Sequence, residues 1–124
     1  MKANFEMVDK NITMVRGDTL SFGVICNDQN GNIIPIDSAV FSCKKNPNDE
    51  EFIFQKTLGN GIDVVDDHYV VRVSPDDTKN ADIGFFWYDL KIGVGDDTFT
   101  IMKGILGIES NIGGILGVET SIEG

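Results

Sequence analysis

Histidine is almost missing from this chain: His68 is the single one in 124 residues. Most histidine-based metal centres and nucleophile–base triads therefore have nothing to draw on. Cysteine is scarce too, with Cys26 and Cys43 alone. Their spacing fits no zinc pattern. Both fall on inward positions of expected strands, as small buried hydrophobes of a reduced protein, or as a disulfide if those strands face each other. Basic residues number ten against twenty acidic ones, for a net charge of −10. Nucleic acid and anionic lipid both need a basic footprint, so neither is expected as a partner, and the charge serves solubility. No apolar run reaches the ~20 residues of a membrane span, and Met1–Glu6 lacks the apolar core of a signal peptide. The expectation is synthesis in a cytoplasm, with any later location reached by assembly.

What the chain does have is alternation. Gly84 opens a stretch with four consecutive aromatics, Phe85-Phe86-Trp87-Tyr88, followed by Asp89-Leu90-Lys91-Ile92. Phe86, Tyr88, Leu90 and Ile92 share one parity, which argues a central strand with one fully apolar face. Leu20, Phe22, Val24 and Cys26 alternate in the same way, as do Ala39, Phe41 and Cys43, and Tyr69, Val71 and Val73. Phe52 and Phe54 mark a strand at 51–57, Ile62 and Val64 a short one, and Thr98–Lys103 a return beside the central strand. Residues 5–14 suit a small hairpin or a bent edge strand, and Ile33–Asp37, with Pro35, an edge segment. Ser74-Pro75-Asp76-Asp77-Thr78 predicts one helical turn, with a serine cap, proline in the first position and acids at the N-terminus. The fold class expected is all-β: an immunoglobulin-like antiparallel sandwich of seven to eight short strands with one helical turn. Its expected core is Leu20, Phe22, Val24, Phe41, Phe52, Phe54, Tyr69, Val71, Phe86, Tyr88, Leu90 and Ile92. The domain is placed at 1–108 and a C-terminal extension at 109–124.

A tandem repeat spans 104–123, beginning within the domain and running through that extension. Residues 104–113 read GILGIESNIG and 114–123 read GILGVETSIE. Self-similarity over ten residues in so short a chain calls for a reason. Ile105, Leu106, Ile108, Ile112, Ile115, Leu116, Val118 and Ile122 crowd into it. A 3–4 spacing suits a helical bundle seam, while the five glycines oppose an isolated helix. A strand or extended arm is the rival reading, and a last strand followed by a frayed end the plainest one. Eight aliphatics beyond what the earlier strands need predict a surface that holds copies together, as a dimer or trimer, or anchors the chain to a neighbour.

Little else suggests chemistry. No serine or cysteine sits in a nucleophile elbow, and no glycine-rich loop opens a helix. Acidic pairs at Asp63, Asp66 and Asp67, at Asp76 and Asp77, and at Asp96 and Asp97 read as solvated turns or, less simply, a weak calcium site. No catalytic residue, cofactor or metal ligand is assigned. Phe85 and Trp87 lie on the parity opposite the core face. They mark a binding surface unless the tail or an edge segment covers them.

Two segments carry a family resemblance. Ile12-Thr13-Met14-Val15-Arg16-Gly17-Asp18-Thr19 resembles the opening of the immunoglobulin-like N-terminal domain of phage baseplate upper proteins and related tail proteins. Ser74-Pro75-Asp76-Asp77-Thr78, followed by Gly84, Phe86, Tyr88, Asp89 and Leu90, is similar to a second motif of that family, and Lys103-Gly104-Ile105 falls where its last strand runs. The resemblance covers about residues 3–108 and does not extend to the tandem repeat. It implies a non-enzymatic structural subunit of a tailed phage or prophage, at the tail tip or baseplate. Other virion proteins would be its partners, the virion its location and the bacterial host cytoplasm its place of synthesis. A carbohydrate- or receptor-binding module and an accessory capsid protein are the alternatives.

Overall fold

Period-two alternation leaves every strand with one face to bury, and the chain meets that demand with one curled sheet. The computed structural model describes residues 7–27 and 30–110. Its strands are β1 (Val8–Asp9), β2 (Ile12–Val15), β3 (Leu20–Val24), β4 (Ser38–Lys44), β5 (Phe54–Leu58), β6 (Gly61–Val65), β7 (His68–Val73), β8 (Gly84–Val94) and β9 (Asp97–Glu109). A single helical turn, α1 (Pro75–Thr78), joins β7 to β8. The order across the sheet is β1-β9-β8-β4-β5-β6-β7-β3, with β2 beside β1 on the outer edge of β9.

The all-β class and the helical turn are as expected. The layering is made differently: the described residues form nine strands in one mixed sheet, and β1–β9, β2–β9 and β5–β6 are parallel pairs. The curl brings the far strands over the near ones, so that the Phe22 ring of β3 lies edge-on to Phe41 of β4, centroids 5.5 Å apart. The bent edge strand proves to be β1 and β2, two short pieces running the same way along β9. Residues 33–37 form no strand; Ile33 makes an isolated bridge to Asn27 and Ile34 is buried.

β8 is flanked on both sides, by β4 and β9. Phe86, Tyr88, Leu90 and Ile92 are all buried, which confirms the parity of the central strand. Phe41, Phe54, Tyr69 and Val71 join them, and Leu20, Phe22 and Val24 pack on from the sheet's end. Phe52 does not: it is 43% exposed and lies outside β5, which starts two residues later. β9 carries an irregularity at Ile101, opposite the Leu90–Lys91 step.

The first repeat copy is the end of β9 and not a free tail. Leu106 is 0% and Ile108 1% exposed, facing Phe86 and Gly84 across the ladder. Their expected role as an interface with another chain is therefore corrected: the domain's own core takes both. β9 ends at Glu109, one residue past the expected boundary. Ile112, Ile115, Leu116, Val118 and Ile122 lie outside the described residues.

Two contacts pin the end of the sheet. The Gly17 N–H, in the turn between β2 and β3, donates to the buried Thr78 hydroxyl at 2.9 Å, and Arg16 Nη1 donates to the Ala81 carbonyl. Within α1, the Ser74 N–H and hydroxyl both donate to Asp77 Oδ2 (2.7 and 2.9 Å), which also meets Lys56 Nζ at 2.6 Å.

The two parities of β8 should separate in stability. Leu90→Ala is expected to cost about 2–5 kcal/mol in denaturant unfolding, and Phe85→Ser less than about 0.5 kcal/mol. A second expectation concerns Asp77. Burial raises its carboxyl, but the hydrogen bonds from Lys56 and Ser74, with the charge of Lys56, outweigh it and hold the group below its ordinary value of 3.8. A depressed carboxylate contributes stability above its unfolded value and loses it as pH falls through the folded one. Asp77→Asn should therefore melt below wild type at about pH 7, with the gap closing by about pH 2.

Candidate functional site

On the outer face of the sheet, cross-strand register builds two adjacent rows. Lys44 of β4, Trp87 of β8 and Ile105 of β9 stand side by side. Phe52 extends this row, its ring under Lys44 Nζ at 4.8 Å. The neighbouring row is polar: Gln55 of β5, Ser42 of β4, Asp89 of β8 and Lys103 of β9. Gln55 Nε2 donates to Ser42 Oγ at 3.1 Å. The next pair along, Lys91 and Thr100, is joined by a 2.8 Å hydrogen bond.

These rows floor an open trough of about 680 Å3. Pro47 and Phe52, before β5, bound one side; Asp9 and Asn11, on the β1–β2 arm, bound the other. The arm is held by backbone and side chain together. The Lys10 N–H donates to the Lys103 carbonyl at 2.9 Å, and the Ile105 N–H donates to Asn11 Oδ1 at 3.1 Å. The Tyr88 hydroxyl donates to the Lys10 carbonyl. Burial, with a contribution from the Asp9 charge, pushes the Tyr88 phenol up to about 12, so it remains a donor at neutral pH.

Of the residues picked out in the sequence, Trp87, exposed, and Ile105, half-buried, come together here as direct neighbours. Phe85 stands one step along the same face, 81% exposed, against Gly107. Nothing among the described residues covers Phe85. Leu106 and Ile108 point the other way, into the core. The polar row was not picked out: outward parity was readable for Asp89, but which strands would lie beside it was not.

No family model and no curated protein sequence matches this chain. Among the described residues, no three histidine, cysteine or carboxylate side chains are grouped to hold a metal ion. No described helix is long and apolar enough to cross a membrane. His68 sits on β7 with Nδ1 3.3 Å from Asp67, away from the trough. The trough presents an aromatic platform, an aliphatic extension and a strip of hydrogen-bonding groups.

The thiols do not belong to it. Cys26 and Cys43 are free and buried, so the disulfide alternative gives way to the plain one. Burial raises both, Cys43 to about 12. Neither should react with an aromatic disulfide reagent in the native protein at about pH 8, and both should react at once in denaturant. Fast labelling of the native form would mean that the interior opens.

Proposed function

We propose that this chain is a non-enzymatic structural module of a tailed phage or prophage particle, at its tail tip or baseplate, which docks on neighbouring virion proteins through the outer face of β8. The observation that carries the docking reading is the exposed pair Phe85 and Trp87. They stand on a strand whose other face is already buried, so folding of the described chain gives no use for them. Large aromatics left in water beside a polar strip are the composition of interface centres. The particle itself comes from the resemblance. Its two motifs touch in the structure, through Gly17–Thr78 and Arg16–Ala81, which supports treating them as one unit. An accessory capsid position would use the same face.

A second reading rests on the polar row. Trp87 next to Ser42, Gln55 and Asp89 has the make-up of a sugar site, with a flat apolar platform for the C–H face and amide and carboxylate groups for hydroxyls.

The test is particle association. A Phe85→Ser, Trp87→Ser chain should keep its far-UV spectrum and be incorporated into banded particles at least tenfold less than wild type, the loss of a central aromatic pair. Absence of the wild-type chain from particles would sink the structural reading. Binding to immobilised glycans, lost in Trp87→Ala, would favour the second.

A further inference from the structure

Among the described residues, the curled sheet does not close. Its two edges, β2 on one side and β3 on the other, are joined by the Arg16–Thr19 turn but pair with each other nowhere. Between them lies a second groove of about 550 Å3. Its lining is mainly apolar, from Ile12, Leu20, Phe22, Val24, Ile101 and Met102. Leu20, Phe22 and Val24 belong to the core cluster and remain partly open along this seam.

The free edge of β2 is ready for a strand. Lys10 and Arg16 send their N–H groups to Lys103 and Glu109 of β9. By alternation, the even residues of the arm face β9, and the odd ones, Asn11 and Thr13, turn their backbone groups toward the seam. No described strand pairs with that side of β2. A strand added to this side of β2 would lie about 4.8 Å from it and cover that edge.

We infer that residues 111–124 of the same chain dock in this seam, with the second repeat copy, Gly114–Glu119, lying along the free edge of β2. Three observations select this occupant. The first is position: Glu109 is bonded to Arg16, so Ser110 leaves β9 beside the turn where β2 and β3 meet. The second is reach: fourteen residues extend about 46 Å, against roughly 26 Å for the length of the arm from Val8 to Val15. The third is sequence. The first copy, GILGIE, already pairs with β2, placing Leu106 beside Ile12 and Ile108 beside Met14. The second copy, GILGVE, differs in one residue, Val118 for Ile108. After the reversal it would run antiparallel to β2, offering the same residue types to the opposite edge. Leu116 and Val118 share a parity, as Leu106 and Ile108 do, and would cover the apolar lining. Residues 111–118 carry no charge, as that lining demands. Asn111, Gly113 and Gly114 are residues suited to the reversal between the copies.

This inference needs no particle and stands apart from the reading of the trough. Its test is amide hydrogen exchange on the purified full chain, compared with a Leu116→Asp, Val118→Asp variant. The Thr13 amide should be protected in wild type and exchange at least tenfold faster in the variant, while the Leu90 amide at the sheet centre stays unchanged. Protection should be the same at low and high protein concentration, with light scattering reading a monomer. Equal exchange at Thr13 in both chains overturns the inference. Protection that disappears on dilution overturns the intramolecular form and assigns the seam to the tail of a second copy.

Discussion

The structure turns on one close approach, where the backbone of Lys10 crosses β9 at Gly104. A Cβ on residue 104 would stand 2.1 Å from the Lys10 carbonyl oxygen and 3.2 Å from the Tyr88 ring. The obstacle is backbone, which cannot swing aside as a side chain can, so only glycine admits the crossing. Tyr88 then satisfies the Lys10 carbonyl with its hydroxyl. That hydrogen bond ties the arm to the central strand from the side of the core. The crossing sets the arm's path: β1 lies along Met102–Lys103, β2 along Leu106–Glu109, and Asn11 between them reaches the Ile105 N–H.

At the other end of β2 a second constraint operates. The Arg16-Gly17 turn is tied to the residues after the helical turn, and Thr78, wholly buried, accepts the Gly17 N–H where water cannot. Asp77 holds α1 through Ser74 and extends the tie to Lys56 on β5. The motifs at 12–19 and 74–78 are thus two halves of one fastening, sixty residues apart in sequence. They join the arm's end to the β7–β8 crossover.

Much of this was legible from period alone. The inward set on β8 and the strands at 20–24, 38–44 and 68–73 follow from alternation. So does the helical turn, from its serine, proline and acids. Parity also separated Phe85 and Trp87 from the core. What alternation does not carry is pairing. That β2 runs parallel to β9, and that β5 and β6 are parallel, depends on contacts far apart in the chain. Phe52 looked like core because it shares a parity with Phe54, yet the strand begins only at Phe54 and its neighbour turns outward. Leu106 and Ile108 looked surplus because the repeat hid a strand end: in the GILG pattern that suggested an arm, the buried aliphatics follow on the same face as Gly104, the glycine that the Lys10 crossing requires. The polar row of the trough stayed invisible for the same reason as the parallel pairs, since a row exists only once four strands are in register.

The arm from Asp9 to Val15 separates the two open features of the molecule. Asp9 and Asn11 bound the trough, while Asn11, Ile12 and Thr13 bound the seam. It is a thin element, with only β9 as its described sheet partner, and short edge segments of this kind open at low free-energy cost. A strand along the seam would give β2 a second ladder and hold the Lys10–Asn11 crossing in place. A ligand in the trough would press on the same residues from the outer side. Whatever each occupant gains from a fixed arm it also supplies to the other, and the coupling must be equal in both directions. With the seam and the trough both occupied, the exposed aromatic face and the second repeat copy would be linked through this short arm, which Gly104 lets cross β9.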